Sequence, residues 1–160
     1  MSKWSVSPDG NFFHNQQVFT NRPLRILHLD DHQLYARGLK DCIMPFFPLA
    51  EIINYCDGDD ALASVKTQLL ENVPIDCIIT DIHHPGLKGD RFLHELRLFE
   101  KKNHLQRIPA LILTMEESPA IRSLTRSRYA VADAYLGKVS EPDVIINTLE
   151  NILYADKKGH

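Results

Sequence analysis

Residues 25–31 read RILHLDD, a short apolar run that stops at two carboxylates. Such a run predicts a buried parallel strand, Arg25 to Leu29, that delivers polar groups at its C-terminal end. Working outward, Gln33 to Phe47 places apolar residues at Leu34, Leu39, Ile43 and Phe46 or Phe47, close to helical spacing, with Pro48 as the stop. Glu51 to Cys56 reads as a second strand. Asp57-Gly58-Asp59 then supplies a turn and a cap for a helix through Ala61, Leu62, Val65 and Leu69. The run IDCIIT, Ile75 to Thr80, predicts a third strand that ends at Asp81, and His83 to Gly89 reads as loop. A helix over Arg91 to Phe99 turns Phe92, Leu93, Leu96 and Phe99 inward. Ala110 to Leu113 is a strand ending at Thr114, and Pro119 to Arg126 a helix that tolerates Pro in its first turn. Ala134 to Leu136 is a brief strand ending near Lys138. Glu141 to Ala155 closes the series, with Val144, Ile145, Leu149, Ile152 and Leu153 on its buried side. Five strand–helix pairs in strict alternation imply a doubly wound α/β fold, a five-stranded parallel sheet with helices on both faces.

With 160 residues the chain is sized for one domain, expected over 24–156, between an extension at 1–23 and a tail at 157–160. The extension is rich in Asn, Gln, Ser and aromatics. Trp4, Phe12, Phe13, Val18 and Phe19 are too apolar for a solvated tail, so it is expected to pack, with a hairpin turning at Pro8-Asp9-Gly10. Hydrophobic residues at 44% and charged residues at 24% exclude a disordered chain. Eighteen Lys and Arg against 21 Asp and Glu, net −3, give no footprint for gripping nucleic acid or anionic lipid. Cys42, Cys56 and Cys77 are odd in number and set among apolar neighbours. They read as reduced core thiols, which suits a cytoplasmic location. No apolar run approaches the ~18 residues of a membrane span, and 1–23 lacks the apolar core of a signal peptide.

In a doubly wound sheet the ligand site lies outside the carboxyl ends of the strands, where strand order reverses. Asp30, Asp31, Asp81, Thr114 and Lys138 all fall on that edge. Like charges about 4 Å apart repel by roughly 4 kcal/mol at an effective dielectric of 20, so something cationic must join the carboxylates. Lys138 can neutralise one, and a hard divalent ion with oxygen ligands fits the others. Mg²⁺ is the natural choice where a phosphoryl group also binds. Phosphoryl transfer is the chemistry suggested.

The segments LDDH, TDIHHPGLKGD, LILTME and AYLGK, in that order, resemble the receiver domain of two-component response regulators, a flavodoxin-like fold, from Leu24 to Tyr154. The resemblance implies that Asp81 is the phosphoacceptor. Asp31 would hold Mg²⁺ directly and Asp30 through water, with Asp81 and the His83 backbone carbonyl as further ligands. Thr114 would hydrogen-bond the phosphoryl oxygen, Lys138 would pair with it, and Tyr135 would be the aromatic that changes rotamer with Thr114. His83 and Glu116 would tune the lifetime of the phosphorylated form. Met115 stands where the family has a small residue, narrowing the way to Asp81, and Val139 follows Lys138 where many receivers have Pro. The helix wording DDHQLYARGL is most like receivers of LuxR-type transcription factors.

The implied donor is a histidine kinase or phosphotransfer protein. The protein would catalyse only its own phosphorylation and dephosphorylation, and would signal through a phosphorylation-switched contact. A homodimer through the helix Pro119–Arg126, the strand Ala134–Leu136 and the final helix is one form of that contact, with Arg122, Arg126 and Arg128 at the same face. Two other readings remain: a receiver-shaped adaptor that works without phosphorylation, and the receiver part of a longer LuxR-type regulator. A transition-metal site of His28, His32, His83 and His84 is disfavoured, because His83 and His84 point apart in what reads as an exposed loop. A haloacid-dehalogenase-like phosphohydrolase wants an Asp two positions after its nucleophile, where Asp81 is followed by His83.

Overall fold

The computed structural model describes the backbone at 4–6, 12–14 and 17–19, and the chain at 22–116, 118–126 and 130–154. In the extension, β1 (Trp4–Val6), β2 (Phe12–His14) and β3 (Gln17–Phe19) form an antiparallel sheet in the order β1-β2-β3. In this sheet Val6 stands opposite Phe12, and Phe12 opposite Phe19. The expected turn at Pro8-Asp9-Gly10, the packing of the extension's side chains and the tail at 157–160 lie outside the described residues.

The remainder alternates β4 (Arg25–Leu29), α1 (Gln33–Ile43), β5 (Glu51–Tyr55), α2 (Gly58–Leu70), β6 (Cys77–Thr80), α3 (Gly89–Lys102), β7 (Ala110–Thr114), α4 (Pro119–Arg126), β8 (Ala134–Gly137) and α5 (Pro142–Tyr154). The five strands are all parallel, in the order β5-β4-β6-β7-β8. The first crossover runs outward to β5 and the second returns past β4 to β6. Strand order therefore reverses between β4 and β6, the position at which a crevice opens in doubly wound sheets.

Alternation along the strands divides the core into two layers. Leu27, Leu29, Ile78, Ala110 and Ile112 face α2, α3 and α4, meeting Ala61, Val65, Phe92, Leu96 and Ile121. Ile26, Cys77, Ile79, Leu111 and Leu113 face α1 and α5, meeting Leu39, Ile43, Ile145 and Leu149. Strands buried on both faces are why residues 77–80 and 110–114 carry near-continuous apolar runs.

Several sequence expectations need correction. α1 ends at Ile43 rather than Phe47, because Pro45 has no N–H for the next helical bond; Phe47 is buried by the turn that follows. α3 is longer at both ends than expected, and β6 begins at Cys77 rather than Ile75. Leu34 is 75% exposed, since five residues separate it from Leu39 and turn it about 140° off the buried stripe. Val144 is exposed, one residue and about 100° round from Ile145. Of the cysteines only Cys77 is a core thiol, its pKa pushed up by burial. Cys42 is half-buried, and Cys56 is exposed past the end of edge strand β5. His84 is buried rather than exposed, its ring lying under the first turn of α2, where Gly58 leaves room for it.

Candidate functional site

Asp30 and Asp81 leave the C-terminal ends of β4 and β6, neighbouring strands at the point of reversal. Each is locked by its backbone before its side chain acts. The Asp30 N–H donates to Tyr55 O at 2.9 Å, and the Asp81 N–H donates to Leu29 O at 3.0 Å. One oxygen of each carboxylate is also committed: Asp30 Oδ1 accepts from the His32 N–H at 2.9 Å, and Asp81 Oδ1 from the Ile82 N–H at 2.6 Å. Gly89, opening α3, lets this packing close, because a Cβ there would stand 1.9 Å from Asp81 O.

The remaining oxygens share one cation. Lys138 follows β8, and its N–H donates to Thr114 O at 3.0 Å. Its Nζ lies 2.6 Å from Asp30 Oδ2 and 2.7 Å from Asp81 Oδ2. Asp30 is 0% and Asp81 7% exposed, so their charges repel with little solvent screening, and the ammonium between them offsets that repulsion. Burial alone would lower the Lys138 pKa, but hydrogen bonds to the two carboxylates outweigh it and the pKa is raised. His28, two residues back along β4 and 1% exposed, goes the other way. Burial holds its imidazole neutral, with a pKa lowered to about 4 although Asp30 and Asp81 pull it upward.

The other residues singled out in sequence take these positions. Asp31 is exposed at the mouth. Thr114 is buried, and its Oγ1 accepts from the Glu116 N–H at 3.2 Å. Tyr135 is half-buried and packs on the core layer beneath α4. Met115 is 70% exposed, so most of its side chain stands in solvent. The His83 imidazole pairs with the Glu116 carboxylate, joining the loop after β6 to the loop after β7.

Tyr35, in the first turn of α1, is not marked by the strand-end carboxylate pattern that picks out the other residues. The face of its ring lies over Lys138, with Nζ 4.6 Å from the ring centroid. Burial pushes its phenol up to about 12. A helical side chain leans toward the N-terminus of its helix, so an aromatic one turn past Asp31 is directed toward the mouth. That rule could have singled it out.

The donor set suits a hard divalent ion. Asp31, Asp81 and the His83 carbonyl would offer an ion oxygens only, although among the described residues no three His, Cys, Asp or Glu side chains are already gathered as a metal cluster. Mg²⁺ is characteristically held in this way, by one or two carboxylates with water and phosphoryl oxygens completing its shell.

No family model matches the chain. Similarity to known proteins is nonetheless consistent. The nitrate/nitrite response regulator protein NarL of Escherichia coli is 28% identical over 127 residues, covering 79% of this chain and 53% of NarL. A CheY-like response regulator receiver domain protein from Methanospirillum hungatei superposes with a TM-score of 0.68 at 20% identity, covering 86% of this chain and 99% of that one. A LuxR-family DNA-binding response regulator structure from Staphylococcus aureus gives 0.62 at 23% identity, over 81% of this chain and 98% of that one. The chain spans about half the length of the first curated relatives it matches. Its sequence relatives are response regulators, and its five-stranded domain has the fold of their receivers.

Proposed function

We propose that the chain is a response regulator receiver that accepts a phosphoryl group on Asp81 from a histidine kinase or phosphotransfer protein and passes the signal on through a protein–protein contact. The observation that carries this reading is the Lys138 ammonium shared between the buried Asp30 and Asp81 carboxylates at the switch point of the sheet.

In the step proposed, an Asp81 carboxylate oxygen forms a bond to phosphorus while the P–N bond of a phosphohistidine breaks. The imidazole leaves with the electron pair and is reprotonated. Asp81 Oδ1 is occupied by the Ile82 N–H, which leaves Oδ2 as the freer nucleophile once Lys138 turns toward the incoming oxygens. Lys138 then neutralises phosphoryl charge from one side, and the Thr114 hydroxyl, released from Glu116 N, donates to a phosphoryl oxygen. Alignment by a rigid sheet and charge neutralisation are the two effects on which phosphoryl transfer mainly depends. Asp31, Asp81 and the His83 carbonyl would hold Mg²⁺, with Asp30 through water, and the ion when bound supplies further neutralisation of the transferring group. Hydrolysis of the acyl phosphate by water returns Asp81 and inorganic phosphate, so the only substrate processed is the protein's own side chain.

Incubation with acetyl phosphate and Mg²⁺, followed by intact-mass measurement, tests this directly. One phosphate should add to the wild type and none to Asp81→Asn. Equal labelling of that variant would move the chemistry to another residue.

A further inference from the structure

Tyr35 stands outside the acidic pair, the threonine and the lysine, yet it meets the cation on which they all depend. Lys138 Nζ lies 4.6 Å from the Tyr35 ring centroid, inside the roughly 6 Å reach of a cation–π contact. The Tyr35 backbone is anchored in the cap of α1, where its N–H donates to His32 Nδ1 at 3.2 Å, and the buried His28 ring lies tilted against the Tyr35 ring with centroids 6.4 Å apart. Its hydroxyl is buried and has no hydrogen-bond partner among the described residues, so what it offers the site is its ring face.

We propose that Tyr35 is the positioning residue for Lys138, its ring face holding the ammonium over the carboxylates while the charge on Asp81 changes; this rests on the reading of Asp81 as phosphoacceptor. A lysine ammonium rides on a flexible four-carbon stem and hydrates strongly, so its placement needs contacts that persist through the reaction. The contact with Asp81 does not persist, because the oxygen that bonds to phosphorus loses its charge. Asp30 and the Tyr35 face are the neighbours that stay. The negative face of the ring attracts the ammonium without accepting its protons, leaving all three N–H donors for carboxylate and phosphoryl oxygens.

The test separates ring electronics from ring shape. Tyr35→Phe keeps both, pentafluorophenylalanine at position 35 keeps the shape and removes the negative face, and Tyr35→Leu removes both. Two quantities are read on the full chain: the order of the Lys138 ammonium by ¹⁵Nζ relaxation, without Mg²⁺ or phosphate, and the rate of labelling by acetyl phosphate with Mg²⁺. Tyr35→Phe should match the wild type in both. The fluorinated and Leu variants should show a mobile ammonium and label about three- to thirtyfold more slowly. A fluorinated variant that behaves as wild type would reduce Tyr35 to a packing residue and overturn the proposal, whatever Tyr35→Leu does. Ammonium order that follows the ring series in a protein that is never labelled would uphold the clamp and sink the phosphoacceptor reading instead.

Discussion

His83 and Glu116 pair across the mouth of the site, the first from the loop after β6 and the second from the loop after β7. Both side chains are substantially exposed, 64% and 41%, so the pair contributes little to stability. Its place matters more, since it bridges the loop after β6 to the loop after β7, and on the proposed reading a hydrolytic water would approach Asp81 between them. Opening it with His83→Ala or Glu116→Ala should shorten the lifetime of the phosphorylated form several-fold. The double variant should be no shorter-lived than the worse single one, because both remove the same contact. Decay of the phosphorylated mass after removal of acetyl phosphate measures all three; additive effects would show that the residues act separately.

The buried His28 makes stability depend on pH in a defined window. Its ordinary pKa of 6.5 falls to about 4 in the fold, chiefly through burial. Between those values the unfolded chain binds the extra proton, so stability falls as pH falls. The contribution is complete above pH 6.5 and is lost as pH descends to about 4, amounting to roughly 3 kcal/mol. Urea melts in EDTA at pH 7.5, 5.5 and 4 should show this loss in the wild type. His28→Leu should lose about that much less over the same range. Parallel curves for the two proteins would assign the acid sensitivity to other groups.

Gly89 and Gly38 offer a matched pair of substitutions. A Cβ at Gly89 would stand 1.9 Å from the Asp81 carbonyl oxygen, a backbone atom that cannot turn aside, whereas one at Gly38 meets nothing within 4 Å. Gly38→Ala should stabilise α1 by about 0.5–1 kcal/mol and leave labelling unchanged. Gly89→Ala should cost about 1–3 kcal/mol and slow labelling by tenfold or more, because it displaces the backbone that aims Asp81. Thermal melts and labelling rates decide it. Normal labelling of a stable Gly89→Ala protein would show that the loop yields without moving the carboxylate.

Much of this was legible in the chain because its signals are local. RILHLDD and IDCIITD each place a carboxylate after an apolar strand, and parallel topology alone brings Asp30 and Asp81 to neighbouring strand ends. What sequence could not give depends on tertiary distance. The bridging of both carboxylates by Lys138, the ring of Tyr35 over it and the pairing of His83 with Glu116 join segments far apart in the chain. Two of the misreadings were also tertiary, whereas the end of α1 at Pro45 and the outward turn of Leu34 and Val144 are local. His84 looks like a loop residue until α2 packs on it, and Cys56 looks apolar in context until β5 proves to be an edge strand.

On the proposed reading, phosphorylation should be read at the face formed by α4, β8 and α5, with Thr114 and Tyr135 as the coupling elements. Thr114 is 1% exposed, and its hydroxyl is engaged by the Glu116 N–H at 3.2 Å. Drawing that hydroxyl toward a phosphoryl oxygen breaks this bond and opens space behind it. Tyr135, half-buried on the layer beneath α4, can turn into that space. Such a bistable group is needed because phosphate charge alone fades over a Debye length of about 8–10 Å. Arg122 and Arg126 are exposed on α4 and offer charged contacts to whatever docks; Arg128 lies outside the described residues. Sedimentation with and without beryllofluoride and Mg²⁺ should show a shift toward dimer in the wild type, absent in Tyr135→Ala. Labelling of Asp81 in that variant should stay within about twofold of wild type, since Tyr135 touches neither carboxylate nor Lys138 in the contacts described. A monomer in both states, with the Tyr135 environment unchanged by fluorescence, would refute a switched homodimeric interface and leave phosphorylation without this route to a partner.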